Sequence, residues 1–147
     1  RHEMLTLGED TLAAFARPDA EGQPQFRLPG RPGQRIPFLA YADGAYLGRL
    51  VEIVMKEAGV ALPLEAVYET DMAEGLKAMA LEGHGLAFLP ASSVKRELRA
   101  RRLTPAAPPG EFELPMQVRL YRERPELKKR PKPVAIRLWD YLAQSAG

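Results

Sequence analysis

The 147-residue sequence contains no cysteine, is 46% hydrophobic and carries a formal net charge of +2. The lack of cysteine excludes disulfide scaffolds, thiol catalysis and Cys-ligated zinc, and the hydrophobic fraction supplies one core or two small lobes. No apolar run approaches the roughly 18 residues of a membrane span, and the opening stretch RHEMLTLGED has no apolar signal core; the chain is expected to be cytoplasmic, without membrane association. Near-neutral charge argues against nucleic-acid affinity of the whole chain. The basic runs at 96–102 and 119–132 lack interleaved stacking aromatics and read as solvated faces.

In chain order, Gly8-Glu9-Asp10 reads as a turn and Thr11 to Ala16 as a strand. The Pro/Gly density between Gly22 and Gly33 predicts a loop. IPFLAY (Ile36 to Tyr41) is a buried strand. Leu47, Leu50, Val51, Val54 and Ala58 recur at the spacing of an amphipathic helix, with Asp43 as N-cap and Gly59 as stop. LEAVYE (Leu64 to Glu69) is a second strand. Asp71 opens the next helix, with Glu74 at capping-box spacing; Leu76, Met79 and Ala80 form its inner face and Gly83 ends it. Leu86 to Leu89, apolar throughout, reads as a central parallel strand. Ser92 or Ser93 caps a short helix running to Leu98. After a Pro-rich break, Met116 to Arg122 alternates as a strand, and Val134, Leu138, Tyr141 and Leu142 mark a C-terminal helix.

This alternation predicts an α/β fold with a mainly parallel sheet flanked by helices. Ligands of such sheets bind at the carboxyl ends of the strands, here Tyr41 to Gly44, Thr70 to Asp71, and Pro90 to Ser93. No nucleophile–base pair, metal cluster or phosphate loop is visible. His84 stands alone between glycines, and neither serine lies in a G-x-S-x-G. The expectation is therefore no catalysis, metal or cofactor.

PFLAYADGAYLGRL, ETDMAEGLKAMALEGHGLAFLP and VKRELRARRL, in that order, resemble the effector-binding domain of LysR-type transcriptional regulators, over about Leu7 to Leu142. The resemblance implies a periplasmic-binding-protein-like fold of two lobes around a small-molecule cleft. On that pattern residues 1–16 are a crossover strand from lobe I, 17–116 are lobe II, and 117–147 are the return strand and the C-terminal helix of lobe I, orphaned from its sheet. The N-terminal half, including the winged helix-turn-helix that binds DNA, is absent. The resemblance further implies a homodimer or homotetramer whose arrangement responds to a small-molecule effector or an oxidant. A solute-binding lobe of transport type is the alternative.

YLGRL and Met72 are most similar to a hypochlorite-responsive branch of the family. Met72 stands at one of the positions concerned and Leu47 at the other, and leucine forms no sulfoxide. The candidate ligand-binding residues are Tyr41, Ala42, Asp43, Gly44, Tyr46, Thr70, Asp71 and Pro90, with Met72 as the candidate oxidation sensor. Capping by Asp43 and Asp71 would occupy helix N–H groups and disfavour carboxylate effectors, or both are ordinary solvent-facing caps. Tyr41 and Tyr46 are half-buried core residues in the competing reading, and Met55, Met72 and Met79 are core packing. Arg49 is expected to pair with Glu52 or Glu69.

Overall fold

The structure is a computed structural model that describes residues 2–123. The described residues fall into two compact units, one of residues 11–114 and one that includes residues 2–10 and 115–123. The C-terminal helix expected from Val134 to Ser145 lies outside the described residues.

The six described strands are β1 (His2–Ala16), β2 (Ile36–Tyr41), β3 (Leu64–Thr70), β4 (Leu86–Pro90), β5 (Thr104–Pro105) and β6 (Leu114–Glu123). They form a sheet of order β3-β2-β4-β1-β5, with β6 paired to β1. β3, β2 and β4 run parallel, as their alternation with helices predicts. β1 is antiparallel to both β4 and β5, so the sheet is mixed. β1 also continues through Gly8-Glu9-Asp10, where a turn was expected. β5 was not anticipated, because two residues inside a Pro-rich break carry no periodicity; its signal is purely the pairing with Phe15 and Ala16.

β4 explains the apolar run LAFLP. All five of its residues are buried, and full burial of a Leu or Phe side chain contributes roughly 1.5–3 kcal/mol. Phe88 packs edge-on against Phe38, with ring centroids 6.2 Å apart. The two glycines before β4 have separate tasks. Gly83 has φ +84 and terminates helix α2 (Ala73–Leu81), where His84 N–H donates to Met79 O. A Cβ on Gly85 would stand 2.8 Å from the Pro37 carbonyl oxygen, so this glycine lets β4 enter beside β2.

Helix α1 (Tyr46–Glu57) buries Val51 and Val54, and Gly59 at φ 68 follows its end. A 3-10 turn, Ala91–Val94, precedes the short helix α3 (Lys95–Arg99). Neither serine caps α3; Ser93 Oγ instead donates back to Pro90 O at 2.7 Å. α2 and α3 are joined through Lys77, whose Nζ donates to Ser93 O at 2.9 Å and lies 3.2 Å from Glu97 Oε2. Burial opposes ionisation of Glu97. Its own backbone N–H, Lys77 and Arg96 outweigh that and hold the carboxyl below its usual range. The long loop after β1 is irregular as expected, but Leu28 anchors it: the side chain is buried and its N–H donates to Ala106 O at 2.7 Å.

Gly85→Ala is expected to destabilise the fold by about 1–3 kcal/mol through overpacking against backbone. Urea denaturation measures the loss. A midpoint equal to that of the unsubstituted chain would remove the close-approach explanation.

Candidate functional site

The carboxyl ends of β2 and β3 are tied together. Tyr41 stands opposite Thr70 in the parallel register, and Ala42 N–H donates to Thr70 O at 2.9 Å. Beyond β2 the chain turns through Ala42-Asp43-Gly44-Ala45, closed by Ala45 N–H to Ala42 O at 3.1 Å, with Gly44 at φ 84. Such a turn needs a positive φ at its third residue, which glycine supplies without steric cost. It delays the helix, so Ala45 and not Asp43 takes the N-cap place, and no side chain caps α1.

The second helix start departs from expectation in the same way. Thr70 Oγ1 accepts the N–H of Met72 at 3.3 Å, Met72 occupies the N-cap place, and α2 begins at Ala73 without a side-chain cap. Asp71 is exposed and Glu74 sits in the first turn, so the capping box does not form. The local cause is a threonine turn that precedes the aspartate. Neither Asp43 nor Asp71 therefore occupies the helix N–H groups that a carboxylate would need.

A pocket of about 300 Å³ opens at this pole. Tyr41, Ala42, Asp43 and Gly44 line it, joined by Phe38 and Ala40 of β2 and by Gly48, Arg49, Val51, Glu52 and Met55 of α1. Tyr46, Thr70, Asp71, Met72 and Pro90 are not in its lining. Pro90 is buried, and its carbonyl is engaged by Ser93. The α1 contributions were legible in principle. Gly48, Val51, Glu52 and Met55 stand at i, i+3, i+4 and i+7 on one helical stripe, while Phe38 and Ala40 share one face of β2 by alternation. What sequence could not supply was that the stripe and the face meet.

Individual side chains resolve several open alternatives. Tyr41 is buried, and its hydroxyl donates to Phe88 O at 2.8 Å, tying β2 to β4. Its hydroxyl is thus committed to the core, and burial pushes the phenol well above its ordinary range. Tyr46 is half-buried. Met72 is 47% exposed, against the core-packing reading, whereas Met55 and Met79 are half-buried. The expected pairing of Arg49 with Glu52 or Glu69 does not occur; ion pairs do form between Arg35 and Glu65 and between Lys77 and Glu97. Also among the described residues, no group of His, Asp and Glu is arranged to hold a metal, and no helix is long and apolar enough to cross a membrane.

A mixed α/β lobe with a small pocket where parallel strands hand over to uncapped helices defines a ligand-binding regulatory fold of the periplasmic-binding-protein type. The chain belongs to the LysR substrate binding domain family, whose model matches residues 2–147; it is an effector-binding domain of a LysR-type transcriptional regulator. It is 30% identical over 142 residues to the HTH-type transcriptional regulator YjiE of Escherichia coli K12, covering 97% of this chain and 44% of that protein. It is equally 30% identical over 142 residues to the HTH domain-truncated transcriptional regulator QseD of E. coli O157:H7, covering 97% of this chain and 55% of that protein. The chain thus spans about half the length of the curated relatives it matches. Among solved structures it resembles full-length HypT of Salmonella typhimurium, a hypochlorite-specific LysR-type transcriptional regulator. That likeness has a TM-score of 0.74 and 27% identity, over 99% of this chain and 47% of that one. These relatives are transcriptional regulators and do not favour the transport-type alternative.

Tyr41→Phe is expected to cost about 1 kcal/mol at neutral pH by deleting the bond to Phe88. As pH rises, the unfolded chain releases this proton near the ordinary value of 10.0 while the folded chain retains it. The contribution is therefore whole below that pH and is lost above it. Urea titrations at about pH 8 and about pH 11 should show a shallower alkaline loss for Tyr41→Phe; an unchanged loss would contradict the burial argument.

Proposed function

We propose that this chain senses a chemical signal for a DNA-binding regulator, with the pocket between β2 and α1 as the effector site. Residues 17–116 form lobe II, and 1–16 and 117–147 belong to the other lobe. The observation that carries the reading is the pocket at the carboxyl end of β2, in a chain of this family. Tyr41, Ala42, Asp43 and Gly44 shape its mouth, and Tyr46, Thr70, Asp71 and Pro90 hold the neighbouring strand ends and helix start. DNA is bound by a separate helix-turn-helix domain, and the protein works in the cytoplasm, where the DNA is. It neither catalyses a reaction nor carries a cofactor. Its partners are an effector or oxidant and further copies of itself.

Effector binding acts by shifting the oligomer between arrangements, to the extent of its differential affinity for them; about 1.4 kcal/mol gives a tenfold shift. The pocket's mixed rim, with Asp43, Glu52 and Arg49, admits neutral, cationic and anionic candidates. The oxidant reading has its own support. Met72 is exposed at the start of α2, and the similar HypT is hypochlorite-specific. A sulfoxide there would place a polar, bulkier group ahead of the helix.

Two results test the sensing role together. In a thermal-shift panel the effector should stabilise the chain by about 2.7 kcal/mol at a hundredfold excess over Kd, and Ala42→Trp should erase that shift without lowering the ligand-free melting temperature. In parallel, graded hypochlorite followed by peptide mapping should oxidise Met72 first and change sedimentation, a change absent from Met72→Leu. If no compound shifts the melt and sedimentation ignores hypochlorite, the sensing reading falls.

Self-association has a candidate surface. β3 is the edge of the sheet, Val67 and Tyr68 on it are exposed, and so are Ile53, Val60 and Met72. Exposed edge strands with apolar side chains favour pairing with another chain. Val67→Lys combined with Tyr68→Lys should lower the sedimenting mass, and an unchanged sedimentation coefficient would exclude this edge.

A further inference from the structure

A second concavity lies at the opposite ends of the same strands. It measures about 690 Å³ and is lined by Arg17, Asp19, Leu81, Glu82, Arg101 and Arg102, with Pro18 beside them. β1 runs antiparallel to β4, with Leu12 opposite Pro90 and Phe15 opposite Ala87. The chain leaving β1 at Arg17 therefore emerges beside the start of β4, while the effector pocket lies beyond the strand ends at the other pole. The length of β4 separates the two, on the order of 15 Å.

Three arginines line this concavity from two distant segments. Arg17 Nη1 donates to Glu82 O at 3.3 Å, which seats it against the end of α2. The side chains of Arg101 and Arg102 make no hydrogen bond or ion pair with another described residue. The lining also holds two acids, Asp19 and Glu82, which make no ion pair with these arginines but offset part of their charge, leaving three positive groups against two negative ones. Asp19 Oδ1 is occupied by its own turn, accepting the N–H groups of Glu21 at 2.8 Å and Gln23 at 3.0 Å. Glu97, the sole acid between Lys95 and Arg102, is committed to Lys77 at 3.2 Å.

The backbone at Arg101 points the same way. Three helices end in a residue of left-handed conformation. After α1 and α2 it is glycine, Gly59 and Gly83, but after α3 it is Arg101, at φ 58. Arg101 N–H donates to Leu98 O at 3.1 Å and Arg102 N–H to Glu97 O at 2.9 Å, the closing bonds that glycine ordinarily serves. An L side chain here strains the backbone where glycine would not. The turn gains nothing from arginine. The concavity does, because the turn places two adjacent arginines in its lining.

We propose that this pole is a second ligand site, for a small polyanion with at least two linked phosphate groups. Guanidinium forks bind phosphate oxygens in bidentate fashion, which suits a di- or triphosphate better than an isolated anion. The volume is in the range of small-molecule sites, roughly 300–1,000 Å³. Both a nucleotide and free polyphosphate carry this chemistry.

Isothermal titration of the 147-residue chain with tripolyphosphate, orthophosphate and adenosine triphosphate tests the site. Tripolyphosphate should bind at least about tenfold more tightly than orthophosphate and weaken as salt rises. Arg101→Gly suits the backbone and should hold or raise the melting temperature while weakening tripolyphosphate about tenfold. Arg102→Gln should weaken it similarly, and Arg31→Gly, an exposed arginine outside the lining, should not. Adenosine triphosphate binding more tightly than tripolyphosphate would support the site and identify a nucleotide; equal affinity would support it as a polyphosphate site. Three results would overturn the proposal: no preference for tripolyphosphate over orthophosphate, equal losses in Arg31→Gly and Arg101→Gly, or a short DNA duplex binding as tightly with the same dependence on Arg101. None of these outcomes depends on the effector pocket.

Discussion

β4 has no solvent-facing residue, and the rest of the Thr11–Leu114 unit is arranged around that constraint. A strand buried on both faces needs partners along both edges, since unpaired backbone groups in an apolar interior are costly. β2 supplies one edge in parallel and β1 the other in antiparallel sense. Gly85 admits the strand at one end, where even a methyl group would meet the Pro37 carbonyl. Tyr41 secures it further along through Phe88 O. The carboxyl ends of the parallel strands β3, β2 and β4 gather on one side, and the pocket between β2 and α1 lies there.

The Lys77–Glu97 pair does for the helices what β4 does for the strands. It joins α2 to α3 in a partly buried setting, while Glu97 Oε1 has no hydrogen-bond partner among the described residues. Ion pairs of this kind add little net stability against hydrophobic replacements, yet removing one member leaves a costly charge behind. Their value here is positional. The pair fixes α3 against α2, and Arg101 and Arg102 follow directly on α3.

Much of the fold was legible because it rests on local signals. IPFLAY, LEAVYE and LAFLP became β2, β3 and β4 nearly as read, and Gly59 and Gly83 ended their helices through the conformational freedom of glycine. The helix starts were not read correctly. Asp43 and Asp71 have favoured capping chemistry, but a turn at Gly44 and a hydrogen bond from Met72 to Thr70 moved each start past its aspartate. Competition between neighbouring turn motifs decides such cases, and spacing alone does not rank them. Half of the candidate site was anticipated at the strand end, and the α1 half was not, because helical periodicity says which residues share a stripe but not what faces it.

By itself the sequence determined the family and the places of β2, β3, β4, α1 and α2, since these follow from residue order, apolar periodicity and glycine placement. Only the tertiary structure decided that the sheet is mixed, that the Tyr41 hydroxyl is committed to the core, that Met72 is exposed, and that Arg17 shares a concavity with Arg101 and Arg102. The physical reason is the same for each. They depend on contacts between segments far apart in the chain, whose geometry is set by packing around β4 and leaves no periodic trace in the local order of residues.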